Sequence, residues 1–418
     1  MDGLFFPDRT PHSGAKQMKN CYRPVRCRKI ADNRYQFFNH NYFENAVLSV
    51  KYTYFTNGVE TYSSTFDVNI APQSSQEYEI DSLELAKDNH NSVVFEYLAG
   101  DFLIASEQII LSEGKLSVDI NSDGKTTVKP SENKLYITFD NGSMIFDKST
   151  GFITSYIYKN HEMINSFPLG DFKGFAPAFY RAPLDNDRNI CKYWHTIGLQ
   201  NTSNICKGSN FTDNGDNIVV TTNIKSIANC ILPVANTQIK YTIYRNGNIL
   251  VDVNCLGGGA VKLLPRFGVM LEMPKEYENI KYFGLGEDVN LPDYKEHTIN
   301  KIYQTTVDKL KEDYIKPQES ATRCDVRFAE ITNASGFGLR FEAVNKPFIF
   351  SASHYTSNQW AKAMHRDDLV DLPTTCVNID SSVLGAGSNA CGPLPDKKDR
   401  VGSLSGKKLS FVVKPIGE

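Results

Sequence analysis

Residues 238–255 read QIKYTIYRNGNILVDVNC, and their pattern decides the fold. Ile239, Tyr241 and Ile243 alternate with polar neighbours, Asn246-Gly247 supplies turn chemistry, and Ile249, Val251 and Val253 resume the alternation. A period of two in β-branched and aromatic residues sets one face of a strand on a core, and an Asn-Gly pair between two such runs predicts an antiparallel hairpin. The design recurs in KLYITFDNGSMIFD (134–147), where Leu135, Ile137 and Phe139 precede Asn141-Gly142 and Met144 and Phe146 follow. It recurs again in KYTYFTNGVETYSSTFDV (51–68), around Asn57-Gly58. Helical periodicity is confined to Ile302 through Tyr314 and to TSNQWAKAMHRDDL (356–369), and neither alternates with strands as βαβ units require. The expectation is an all-β chain of sandwiches, which disfavours a (βα)8 barrel or a doubly wound sheet.

At 418 residues the chain suits two or three domains. A polar run, NSDGKTTVKPSEN (121–133), carries Gly124 and Pro130 and reads as a linker between a first unit of ordinary sandwich size and a much larger second one. Residues 1–13 read as an extended, Pro-punctuated lead-in. Charge is nearly balanced, 45 basic against 48 acidic residues, so there is no electrostatic case for nucleic acid. No basic amphipathic helix argues for a membrane surface, and no run approaches the roughly 20 apolar residues of a span. Small neutral ligands are the natural expectation. The nine cysteines contain no Cys-x-x-Cys pair and are odd in number, which suggests buried, reduced thiols and a cytoplasmic location. MDGLFFPDRT lacks the basic n-region and apolar run of an export signal.

The densest cluster of chemical groups is FYRAPLDNDR (179–188). Its contiguous Asp185-Asn186-Asp187 lacks the alternating acids, bend glycine and distal glutamate of a calcium loop, and a turn in which these side chains bond backbone amides after Pro183 is the simpler reading. No Gly-x-Ser-x-Gly elbow is present, Cys391 in GAGSNACGP has no thiol-enzyme signature, and His354 and His365 have no His-Glu-x-x-His partner. Glycoside hydrolysis needs two carboxylates at a set separation, but spacing along a β chain does not say which acids meet. GLGEDVNLPD (284–293) and KPQES (316–320) place acids in loops, where solvated charge is the default.

Six blocks together carry a resemblance: DGLFFPDRTPHSG (2–14), FYRAPLDNDR, LPRFGVMLEMP (264–274), YFGLGE with LPD (282–293), IKPQESATRCDVR (315–327) and VNIDSSVLGAGSNACGP (377–393). In this order they resemble the carboxy-terminal half, the small-chain-like region, of the large bacterial β-galactosidases of glycoside hydrolase family 2. The resemblance implies a lead-in at 1–13 from the end of a catalytic barrel, an immunoglobulin-like β-sandwich at 14–122, a linker at 123–132 and a galactose-mutarotase-like supersandwich at 133–418. It also implies that the catalytic glutamates and the magnesium ligands lie on a barrel preceding Met1. No catalytic residue and no firmly held cofactor is then expected in this chain, with Mg and Na belonging to the complete enzyme. The implied partners are a barrel-containing region or large subunit, a galactoside such as lactose, and further copies in an oligomer.

Asp2 falls where the family uses an Asn as a sodium ligand. Ser388, Asn389 and Cys391 fall in a substrate-proximal loop where the best-known relatives carry a tryptophan under the aglycone, so Cys391 removes a stacking face. Gly385, Gly387 and Gly392 let that loop turn tightly. Arg181 has the planar fork to bridge a carboxylate or carbonyls in a structural role. A further departure is Glu287, Leu291 and Tyr294 in place of the family's Pro, Tyr and Arg. Two other readings stand beside this one: a stand-alone carbohydrate-binding module, and an aldose epimerase by fold analogy.

Overall fold

A computed structural model of the chain describes residues 3–116, 120, 125–164 and 174–417. Two compact units emerge. One comprises Met1–Lys115 with Phe283–Asp288 and Tyr294–Tyr303, and the other Leu116–Tyr282 with Val289–Asp293 and Gln304–Glu418.

In the first unit, strands Val25–Lys29, Arg34–Asn39 and Ser75–Glu79 make one antiparallel sheet. Strands Val59–Ile70, Ala46–Thr56, Asn91–Ala99 and Phe102–Ser112 make a second. Alternation turns Tyr35 and Phe37 of the smaller sheet toward Phe95 and Tyr97 of the larger, with centroids 5.1 Å apart for Tyr35–Phe95 and 5.4 Å for Phe37–Phe95, both edge-on. Two sheets sharing one aromatic core form a two-layer sandwich. Asn57 and Gly58 both take positive φ, 49° and 78°, as a two-residue hairpin turn demands. Glu107 is fully engaged at the sandwich edge: it accepts from the Cys27 N–H at 2.7 Å and the Tyr97 hydroxyl, and pairs with Arg23 at 3.0 Å.

In the second unit, His161–Glu162, Phe152–Tyr158, Gly142–Asp147, Lys134–Phe139 and Thr127–Pro130 lie side by side in that order. A second sheet runs Ala176–Ala178, Arg266–Pro274, Thr374–Val383, Phe348–Ser353, Arg323–Val326. The largest sheet includes, in hydrogen-bonded order, Thr202–Asp213, Asn217–Ala228, Leu232–Tyr244, Ile249–Gly258, Lys408–Ile416, Gly338–Ala343 and Phe328–Thr332. Every other residue from Ile218 to Ala228 is buried, so that sheet has one inner face. Arg266 through Met273 are buried without a break, as a strand covered on both faces must be. Phe146 reaches Tyr241 across the layers, and Phe175 fills the space between Tyr241 and Phe411.

Helices depart from the expectation. Ser13–Cys21 is helical although it has no apolar stripe. Its Asn20 holds it instead, donating to the Glu296 carbonyl at 2.9 Å and accepting from the Ser106 N–H at 3.2 Å. Ile190–Thr196 buries only Ile190 and Trp194, too few positions to register as a period. Conversely, Ile302–Tyr314 is not a helix: strand Ile299–Thr306 runs into a single helical turn, Val307–Leu310, whose two buried ends at i and i+3 mimic helical spacing. TSNQWAKAMHRDDL does hold a helix, Ser357–Lys362, begun by a capping box in which Thr356 Oγ1 accepts from the Gln359 N–H and Gln359 Oε1 accepts from the Thr356 N–H. The lead-in doubles back, with Phe5 bridged to Pro11, rather than running extended. None of the nine cysteines forms a disulfide, but only Cys255, Cys324 and Cys376 are buried, while Cys230 and Cys391 are exposed. Among the described residues no helix is long and apolar enough to cross a membrane.

Phe95 is fully buried between the two aromatic faces of the first unit. Phe95→Ala is expected to cost about 3–5 kcal/mol, read as a lowered urea midpoint for the phase reporting that unit.

Candidate functional site

The segment Phe179–Arg188 is organised by one buried ion pair. Arg181 and Asp187 side chains are both 0% exposed and meet at 2.6 Å through Nη1 and Oδ2. The same guanidinium donates to the Ala182 carbonyl at 3.0 Å and to the Leu384 carbonyl at 3.2 Å, and lies 5.8 Å from the centre of the Trp194 ring. Asp187 Oδ2 also accepts from the Leu184 N–H at 2.8 Å, closing the turn Asp185–Asp187. Arg181 Nε and Asp187 Oδ1 remain buried without hydrogen-bond partners, so the pair's desolvation is only partly compensated and loss of either member would strand the other. The three consecutive polar side chains go three ways. Asp187 turns inward, Asp185 pairs with Arg188 at 2.9 Å, and Asn186 reaches a neighbouring loop. They cannot converge on one cation.

That neighbouring loop follows strand Thr374–Val383 and carries Ser388, Asn389 and Cys391. Side chains from outside hold it. Asp293 Oδ1 and Oδ2 accept from the Ala386 and Gly387 N–H groups at 2.7 and 2.8 Å, Asn186 Nδ2 donates to the Gly387 carbonyl at 2.7 Å, and Asn189 Nδ2 donates to the Asn389 carbonyl at 2.9 Å. Within the loop, the Cys391 N–H donates to the Ser388 carbonyl at 3.0 Å and the Ser388 N–H to the Pro393 carbonyl at 3.1 Å. Two glycines are structurally required. A Cβ on Gly385 would sit 2.5 Å from the Asp293 carboxylate, and Gly387 combines φ +57° with close approach to Pro395. Cys391 is an exposed free thiol. Asn389 is 8% exposed, yet both its amide atoms are buried without a hydrogen-bond partner. An amide left unpaired in this way costs about 1–3 kcal/mol.

A second polar cluster lies on the two-sided sheet. Arg266 donates to Asn378 Oδ1 at 3.0 Å and Ser351 Oγ at 3.3 Å, lies 3.9 Å from Glu319, and stands 3.0 Å from Asp380 through Nε, off the hydrogen-bonding line. Burial pushes the Asp380 carboxyl up to about 7, against the pull of Arg266 and with the added push of the Glu319 charge. Arg266, Asp380 and Glu319 are all buried, and we read this cluster as an internal brace.

Sequence reasoning placed Ser388, Asn389 and Cys391 in one loop, and they do sit together. It did not find the residues that fix the loop. Asp293 stood out only as part of a departed block, Asn186 only as a turn former, and Asn189 not at all. Asp2 lies outside the described residues. Among the described residues no group of three or more His, Cys, Asp or Glu side chains gathers as a metal site would need.

Asp293→Asn replaces one acceptor oxygen with an NH2 group facing a backbone N–H, so amide exchange across 385–392 is expected to rise severalfold while global stability holds. Asp380 titrates in the other direction from most paired acids. Its folded pKa lies above the unfolded value of about 3.9, so between pH 4 and 7 the folded state binds more protons, and stability falls as pH rises through that window. A thermal midpoint that drops from pH 5 to pH 8 should therefore flatten in Asp380→Asn.

A family profile described as β-galactosidase small chain matches residues 138–413. The chain is 30% identical over 411 residues to a β-galactosidase from Actinobacillus pleuropneumoniae, covering 94% of this chain and 39% of that protein. It is 26% identical to a β-galactosidase from Staphylococcus xylosus, covering 94% and 40% respectively. It thus spans about two fifths of the length of these curated relatives. A solved galactose 1-epimerase from Lactobacillus acidophilus NCFM superposes with TM-score 0.41 and 9% identity, over 71% of this chain and 100% of that one. With most of its length matched by one family profile, the chain belongs to the β-galactosidase small-chain family.

Proposed function

We propose that this chain is the part of a β-galactosidase that supports and completes an active site for terminal non-reducing β-D-galactosides such as lactose. In this reading the two glutamates that cleave the bond come from a barrel-containing region or large subunit outside these 418 residues, and the isolated chain is inactive. The carrying observation is the loop 385–392, which Asp293, Asn186 and Asn189 hold in one conformation while it keeps Cys391 exposed and the Asn389 amide unpartnered. A loop held from several sides limits the ordering cost of completing a neighbouring site.

Ser388 and Asn389 are assigned to the margin of the substrate site, where their polar groups would meet sugar hydroxyls or the partner region. Cys391 sits where an aglycone would rest, and a thiol offers no ring face to it. We further assign an immunoglobulin-like topology to the first unit and a mutarotase-like supersandwich to the second. Magnesium and sodium belong to the complete enzyme, with Asp2 as a sodium ligand, and we place the assembly in the cytoplasm as an oligomer.

The test is complementation. The chain alone should not hydrolyse an aryl β-galactoside, and adding a barrel-containing region should restore turnover; strong turnover by the pure chain alone would overturn the reading. In the assembled enzyme, Cys391→Trp should raise the fraction of galactosyl transfer to added glucose, measured by product chromatography, because the indole supplies the missing stacking face.

A further inference from the structure

The second unit contains a cavity of about 190 Å³ that no residue of the 385–392 loop lines. At about 30 Å³ per water this is space for roughly six waters, small beside the 300–1,000 Å³ of larger ligand pockets and suited to a single sugar ring. Its walls come from two segments, Lys311–Ser320 and Tyr355–Leu369. We propose that this cavity binds one pyranose ring of a neutral sugar, as a site separate from the one that the 385–392 loop serves.

Three observations carry the proposal. The first is the aromatic wall. Tyr355 and Trp360 stand with ring centroids 6.5 Å apart, and Tyr355 is fixed by donating its hydroxyl to Asp371 at 2.7 Å. Rings of this kind match the apolar C–H faces of a sugar. The second is an unanswered donor. Trp360 is 4% exposed, and its indole N–H is buried without a hydrogen-bond partner although the residue lines the cavity. A small shift of the ring would bring it to a hydroxyl in the cavity, because the nitrogen itself is closed to solvent. The third is the polar rim, where Lys311, Asp313 and Arg366 present both signs of charge. Mixed signs favour a neutral, many-hydroxyl ligand over a free anion or cation.

The walls are held in place before any ligand arrives. The capping box at Thr356 starts the helix bearing Trp360, Gln359 Nε2 donates to the Val370 carbonyl at 2.8 Å, and the Arg366 N–H donates to the Ile315 carbonyl at 3.1 Å, tying the two segments together. On the rim Asp313 is paired with Lys311 at 2.9 Å, and the Asp367 side chain is 93% exposed.

The test titrates the full chain with methyl β-D-galactopyranoside and methyl β-D-glucopyranoside, using calorimetry and tryptophan emission together, with glycerol as control. Trp194 is fully buried with its indole N–H on the Leu263 carbonyl, so Trp360 is the reporter. Saturable binding near 1–10 mM is expected for at least one glycoside, weakened about tenfold in Asp313→Ala and in Arg366→Ala, both rim substitutions away from the core. In Trp360→Phe the emission change should vanish and the affinity should fall. No saturable heat with either glycoside, an unchanged affinity in the Asp313→Ala/Arg366→Ala double variant, or an equal response to glycerol would each overturn the proposal. Because this assay reads binding to the chain itself, its outcome is independent of whether complementation succeeds.

Discussion

The Arg181–Asp187 pair is the constraint from which the candidate site is built. A guanidinium and a carboxylate withdrawn wholly from water cost more to bury than one ion pair returns unless further hydrogen bonds share the load. Here the Ala182 and Leu384 carbonyls and the Leu184 N–H take that share. The pair therefore joins the turn Asp185–Asp187 to the end of strand Thr374–Val383, just where the loop with Ser388, Asn389 and Cys391 departs. Asn186 and Asn189 act from a platform that the ion pair has already made rigid.

The strand pattern was legible because each hairpin carries its own evidence. Ile239, Tyr241, Ile243, Ile249, Val251 and Val253 are all buried, as alternation around Asn246-Gly247 requires. LPRFGVMLEMP carries a different signal, a nearly unbroken apolar run, and its strand is covered on both faces. The helix Ser13–Cys21 was not legible, because the hydrogen bonds of Asn20 hold it and these leave no period in the sequence. The Val307–Leu310 turn gave the opposite error, since two apolar residues three apart look helical whatever precedes them.

The site shows the same division. That Arg181 bridges a carboxylate and carbonyls follows from its chemistry and from the acids beside it. That Asp293 grips the amides of Ala386 and Gly387 does not, because the two segments are separated by more than ninety residues and the recognition is of backbone, which carries no residue code. The Arg266–Asp380–Glu319 cluster was hidden for a related reason: its three members come from three blocks, and only the sheet brings them together.

The interleaving of the chain between its two units has a temporal consequence. Residues up to Lys115 belong to a body that also counts Phe283–Asp288 and Tyr294–Tyr303 among its members. On a ribosome adding about 5–20 residues per second, those last pieces emerge roughly ten to forty seconds after the first strands. During that interval the early sandwich waits unfinished, exposed to chaperones and proteases, and a fragment ending at Lys115 would remain in that state permanently.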